Sequence, residues 1–182
     1  MKLMIASDIH GSAHYCRQLL ERFQEEAPDQ LVLLGDLLYH GPRNALPEAY
    51  DCPAVYEMLN RHRDKIAAVR GNCDCEVDQM VLDFPIMADY MLLEAQGACL
   101  FVTHGHLWNE EVLPPMAPGT VLLHGHTHVP VVRDHGDYIY MNPGSVSIPK
   151  EDSWHGYMVL EQGRFLWKDL EGTVRMEFAL PA

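Results

Sequence analysis

Short apolar runs recur along the chain, and each breaks off into a polar tip. Residues 2–6 (KLMIA) lead into SDIHG, 31–34 (LVLL) into GDLLYHGPRN and 66–69 (IAAV) into RGNCD. Residues 99–102 (CLFV) lead into THGH, and 121–123 (VLL) into HGHTH. Near-continuous apolar segments of this length predict strands buried on both faces. Between the first two, residues 12–26 carry Leu19, Leu20 and Phe23 at helical spacing, with Ser12 placed as N-cap. A second helix is predicted over about residues 53–63. Strand, helix, strand in this order implies βαβ units and a mostly parallel sheet. Ligands of such sheets gather beyond the carboxyl ends of the strands, where these five tips lie.

The last third has a different pattern. Residues 129–133, 137–141, 157–161, 164–168 and 173–179 read as short strands, with turn signals at Gly136-Asp137 and Gln162-Gly163. Antiparallel hairpins that form or extend a second sheet follow. The expected fold is α/β, two packed sheets with helices outside, in a single domain over residues 1–182.

Composition narrows the classes. A chain of 182 residues with 48% hydrophobic and 21% charged residues is ordinary globular material. No apolar run approaches the roughly 20 residues of a membrane helix. Four apolar residues before Ser7 are too few for a signal-peptide core, so a cytoplasmic location is expected. The five cysteines (Cys16, Cys52, Cys73, Cys75, Cys99) show no framework spacing and are expected as free thiols. The net charge is −13, and the cations are scattered, with one mild cluster at Arg61, Arg63 and Lys65. No basic stripe for a nucleic-acid groove is visible. An acidic chain still binds phosphate when metal ions mediate.

The polar tips supply Asp8, His10, Asp36, Asn72, His104, His126 and His128. Carboxylate, imidazole and amide oxygen together suit first-row divalent metals. Seven ligands are too many for one tetrahedral ion and fit two neighbouring ions that share a carboxylate, a recurrent phosphoester-hydrolysis device. Each element alone has a plainer explanation. Asp-x-His is a common loop coincidence, Gly-Asp a common turn, and Asn72 after Gly71 a turn residue that tolerates positive φ. His104 alone reads as a buried histidine bonded to a carbonyl. The joint order of five tips, each after a strand, favours the metal reading. His124, on the strand side of Gly125, is read as structural.

SDIHG, GD, GNCD, THGH and GHTH in this order resemble the calcineurin-like metallophosphoesterase superfamily. Longer stretches, among them LLGDLLYHGPRNALPE, AVRGNCDCEVDQM and NPGSVSIPK, are similar to the small bacterial phosphodiesterases of that family. The likeness covers residues 1 to about 150. It implies a four-layer αββα sandwich with two mixed β-sheets flanked by helices. It also implies that Asp8, His10 and His128 hold one metal, that Asn72, His104 and His126 hold the second, and that Asp36 bridges them. Manganese is the implied ion, with iron, zinc, nickel or cobalt as other occupants. A hydroxide between the metals would then attack the phosphorus of a small phosphodiester in line. A homo-oligomer is also implied. Two competing hydrolase designs lack their motifs: no Gly-x4-Gly-Lys-Ser/Thr or Gly-x-Ser-x-Gly occurs.

The chain departs from the wider family at Cys73, where many members carry the histidine that donates a proton to the leaving group. A thiol is a poorer general acid, so phosphodiesters with good leaving groups are the expected substrates. The plainer reading of Cys73 is a small buried residue. Asp74 is expected to orient its neighbours. Arg43 either clamps a phosphate oxygen or is an exposed loop arginine. His106 either donates to substrate or lines the cleft. His14, His62, His135 and His155 are expected at the surface, and Trp108, Trp154 and Trp167 in packing. Two other readings stand beside the phosphodiesterase. One is a phosphomonoesterase or dinucleoside polyphosphate hydrolase on the same site; the other is a scaffold that has lost catalysis.

Overall fold

The structure, a computed structural model, describes residues 1–180. The last two residues of the domain expected over 1–182 lie outside them. The elements run in the order β1 (Leu3–Ala6), α1 (Ala13–Glu26), β2 (Gln30–Leu33), α2 (Cys52–Asn60), β3 (Ile66–Ala68), α3 (Glu76–Gln79) and β4 (Tyr90–Ala95). They continue with β5 (Ala98–Thr103), β6 (Thr120–Leu123), β7 (Pro130–Asp134), β8 (Tyr138–Pro143), β9 (Gly156–Glu161), β10 (Arg164–Asp169) and β11 (Val174–Ala179).

Two mixed sheets result. One has the order β11-β10-β9-β1-β2-β3 and the other β4-β5-β6-β8-β7. The expected parallel pairings occur, β1 with β2 and β2 with β3 in the first sheet, and β5 with β6 in the second. The sheet expected to be mostly parallel is mixed, because β1 also pairs antiparallel with β9. The hairpin strands of the last third divide: β9–β11 extend the first sheet antiparallel to β1, and β7 and β8 complete the second. The five polar tips therefore come from two sheets. Those after β1, β2 and β3 face those after β5 and β6 across the top of the sandwich.

Alternate residues of the buried strands serve two cores, which explains their continuous hydrophobicity. Met4, Ala6, Leu31 and Leu33 point outward to the helices and pack on Leu19, Leu20, Phe23, Val55 and Leu59. Leu3, Ile5, Val32 and Leu34 point inward and meet Leu100, Val102, Val121, Leu123 and Met141 of the second sheet. Trp167 is fully buried there, and its Nε1 donates to the carbonyl of Asn142 at 2.7 Å, tying β10 to β8. Outside the second sheet, Phe101, Leu122 and Tyr140 are covered by Trp108 and Met116 of the 104–118 segment rather than by a regular helix.

Ser12 caps α1, its Oγ accepting from Tyr15 N at 3.3 Å, and Asp51 caps α2 by accepting from Ala54 N. The second helix stops at Asn60, before the predicted 63, and a short 3-10 turn over Arg63–Lys65 follows. His155, expected at the surface, is half-buried. It stacks on Tyr15 with 3.9 Å between centroids and bonds the carbonyl of Val146. All five cysteines are free. No helix among the described residues is long and apolar enough to cross a membrane.

Glu26 closes α1 against the first sheet. Its carboxylate accepts from Tyr157, Lys168 and Lys2. Burial would push Glu26 up, but the two lysines hold it below the usual carboxylate range. A carboxyl whose folded pKa lies below its unfolded value stabilises above pH ~4.5 and loses that contribution as pH falls through the folded value. Glu26→Gln is therefore expected to cost about 1–2 kcal/mol at pH 7, as hydrogen bonds to a charged group do. The gap between variant and parent should close in urea titrations repeated below pH 4, and a gap independent of pH would contradict the assignment.

Candidate metal centre

The tips converge because their backbones turn sharply. Asp8, His10, Asp36, His126 and His128 all have positive φ, between 48° and 67°. For residues with a Cβ this left-handed conformation costs roughly 1–2 kcal/mol each, and such strain persists only where neighbours over-determine it. The glycines beside them allow close approach. A Cβ on Gly71 would lie 2.0 Å from Asp36 Oδ1, and one on Gly125 would lie 1.9 Å from Ser7 Oγ.

All seven candidate side chains are brought together, in two groups. In the first, Asp8 Oδ1 lies 3.1 Å from His128 Nε2 and 3.4 Å from His10 Nε2. The two imidazole nitrogens are 3.3 Å apart. In the second, His104 Nε2 lies 3.0 Å from Asn72 Oδ1 and 3.2 Å from His126 Nδ1. Asp36 Oδ2 stands between the groups, 3.7 Å from His10 Nε2 and 3.4 Å from His104 Nε2.

The donor atoms fit metal ions. His10, His104 and His128 each turn Nδ1 to a backbone carbonyl, of Tyr39 at 2.8 Å, Leu34 at 2.7 Å and Ile148 at 2.6 Å. A carbonyl only accepts, so Nδ1 carries a proton and Nε2 is turned inward, the orientation of metal-ligating histidines. Asp8 Oδ1 is buried without a hydrogen-bond partner, while Oδ2 is held by Ser7 Oγ and His126 N. Separations near 3 Å are those of atoms that share one ion at about 2.1 Å.

The electrostatics agree. Burial would raise Asp8, but His10 and His128 hold it well below the usual carboxylate range. Asp36 is likewise held down against burial, chiefly by His104. Burial would lower His104, but Asp36 and Asp8 raise it to about 9.

Asp74 is buried beneath the centre and is not among the residues lining the cavity above it. Its carboxylate takes the backbone N–H of Asp36 at 2.7 Å, Leu37 at 2.9 Å and Gly71 at 2.8 Å, binding the second tip to the third. Burial and the Asp36 carboxylate push Asp74 up to about 6 against the pull of those donors. The cavity over the two groups is about 470 Å³ and is lined by Arg43, Asn44, Cys73, Thr127 and Lys150 among others. His106 is not in that lining; its ring lies 5.4 Å from that of His104, and burial and the neighbouring imidazoles lower it to about 4. Cys73 is pushed up to about 12 by burial and by Asp36.

A profile of the calcineurin-like phosphoesterase superfamily domain matches residues 1–163. The chain belongs to that superfamily. It is 51% identical over 161 residues to phosphodiesterase YfcE of Escherichia coli strain K12, covering 88% of each chain. The solved structure of E. coli YfcE, described as a phosphoesterase, superposes with a TM-score of 0.96 at 46% identity, over 100% of both chains. Phosphodiesterase MJ0936 of Methanocaldococcus jannaschii is 28% identical over 79% of this chain and 83% of its own. A zinc-complexed Vps29 of Entamoeba histolytica shares the fold, with a TM-score of 0.65 at 16% identity over 100% of both chains.

The chain is a hydrolytic phosphoesterase of this superfamily. Two residues of its cavity, Thr127 and Lys150, escaped the sequence reading. The signal for Lys150 was the NPGSVSIPK stretch that it ends. That stretch braces the centre from below: Ser145 and Ser147 donate to the carbonyl of Asp8, and Ile148 orients His128.

Proposed function

We propose that this phosphoesterase is a phosphodiesterase acting through two divalent ions, most suitably manganese. Asp8, His10 and His128 would hold one ion, Asn72, His104 and His126 the other, and Asp36 would bridge them. The observation that carries the reading is the pair of converging donor groups with Asp36 Oδ2 between them. The names of YfcE and MJ0936, both phosphodiesterases, support the choice of diester. When bound, the two ions supply a hydroxide nucleophile at neutral pH and neutralise charge on the phosphoryl oxygens.

The chain's own residues do the rest. The carbonyls of Tyr39, Leu34 and Ile148 fix the imidazoles, which limits reorganisation during the reaction. Arg43 and Lys150 bring positive charge to the cavity and would contact the non-bridging phosphoryl oxygens. Asp74 is a positioning residue, holding the tips that bear Asp36 and Asn72 in register. His106 would stand beside His104, outside the lining of the cavity. The purified enzyme is expected to hydrolyse bis(p-nitrophenyl) phosphate with manganese and to fall silent with EDTA. Metal-restored protein inactive on every diester, monoester and dinucleotide would point instead to the scaffold reading.

Cys73 supports the preference for diesters. It lines the cavity with its thiol 3.3 Å from Asn72 Nδ2, and the imidazoles of that lining, His10, His126 and His128, would be engaged as ligands and so not serve to protonate a poor leaving group. Cys73→His is expected to raise the monoester-to-diester rate ratio by about 10-fold, short of the full ~10²–10⁴-fold of an evolved general acid. An unchanged ratio for phenyl phosphate, a monoester with a poor leaving group, against bis(p-nitrophenyl) phosphate would contradict this role.

A further inference from the structure

A second cavity, of about 380 Å³, adjoins the first. His126 and Thr127 line both, so the two share a wall at the candidate metal centre. The inner side of the second carries His124 and Tyr140, stacked at 4.4 Å between centroids. His124 is only 2% exposed, and its Nδ1 faces the carbonyl of Gly125 at 3.0 Å. That nitrogen carries the proton. The buried Nε2 therefore keeps a lone pair, and it has no partner among the described residues. A buried acceptor left unpaired costs about 1–3 kcal/mol unless a donor reaches it.

The charges of the two cavities are opposite in sense. Arg43 and Lys150 stand at the first beside Asp36. The second is lined by Glu110, Glu111 and Glu151 against one cation, Arg133. Glu110 already binds Arg133 and His135. Glu111 and Glu151 form no ion pair among the described residues. An anion is favoured on one side of the shared wall and disfavoured on the other.

We propose that the second cavity holds the non-reacting ester group of the substrate and selects an amine-bearing, cationic alcohol. The inference rests on the phosphodiesterase reading and adds a substrate class to it, diesters of zwitterionic character. It also disfavours dinucleoside polyphosphates, whose further phosphates would meet the carboxylates. Three probes with one leaving group test it: the p-nitrophenyl phosphodiesters of 2-aminoethanol, propanol and 3-hydroxypropanoate. In each, water oxygen bonds to phosphorus, the bond to p-nitrophenolate breaks and a proton is released, so only the second ester group varies.

At low salt, kcat/KM for the aminoethyl ester is expected to exceed that for the propyl ester by about 5- to 10-fold, with the carboxylate ester slowest. In the double variant E111Q/E151Q the amino preference should shrink to about 2-fold or less. The propyl ester, whose second ester group carries no charge, is the reference against which the amino preference of each enzyme is taken. Equal rates on the aminoethyl and propyl esters by an enzyme active on bis(p-nitrophenyl) phosphate would overturn the proposal. So would a preference that survives the double substitution. Absence of metal-dependent turnover of every diester would overturn the phosphodiesterase reading itself, and this inference with it.

Discussion

Replacing Asp36 by asparagine is expected to lower kcat/KM for bis(p-nitrophenyl) phosphate by about 10³-fold, equivalent to roughly 4 kcal/mol. The two carboxylate oxygens have separate tasks. Oδ1 accepts the N–H of Cys73 at 2.8 Å, which asparagine reproduces. Oδ2 stands between His10 and His104, where the amide supplies no negative charge and a weaker ligand. The fold should survive, because the bond to Cys73 and the side-chain volume are kept. A folded variant that binds manganese more weakly and turns over slowly is the expected outcome. Parent-like turnover would remove Asp36 from the centre.

Asp74→Asn is expected to act through structure rather than contact with substrate. Three backbone donors converge on one carboxylate, from Asp36, Leu37 and Gly71. Asparagine has one oxygen and must turn its amide against at least one of those N–H groups. A buried donor left facing another donor costs about 1–3 kcal/mol, and the lost charge adds to it, so about 2–4 kcal/mol is expected. Thermal unfolding should fall by roughly 2–4 °C for each kcal/mol. Activity should fall about 10- to 100-fold, the usual effect of disturbing groups that orient metal ligands. The informative readout is manganese affinity, which should weaken because Asp36 and Asn72 ride on the two tips that Asp74 ties together. A variant with lower melting temperature but unchanged affinity and kcat would leave Asp74 a purely structural role.

The tips and the polar side chains they bring together were legible because each ends an apolar run, and a run buried on both faces leaves a strong signal. The partition of those runs between two sheets was not legible. Nothing in LVLL or VLL distinguishes a partner in one sheet from a partner in the other; packing of Leu3 and Ile5 against Val121 and Leu123 decides it. β4 escaped because its residues alternate half-buried with exposed positions, and Tyr90 and Leu92 on the outer face obscure the polar half of the pattern. The early stop of α2 at Asn60 was hidden because helix-compatible residues continue to Lys65. The left-handed backbone at Asp8, His10, Asp36, His126 and His128 was equally hidden. Aspartate and histidine tolerate it, but only the tertiary contacts of each tip require it. His155 was misplaced because its partner Tyr15 is 140 residues away in the chain.

The central claim is that two ions share Asp36. Its most direct test is calorimetric titration of manganese into chelator-stripped enzyme, with the bound metal counted by elemental analysis and turnover of bis(p-nitrophenyl) phosphate followed in parallel. The account predicts two ions per chain, activity that rises with the second, and loss of at least one tight site in Asp36→Asn. Full activity with one ion per chain, or with none, would contradict it.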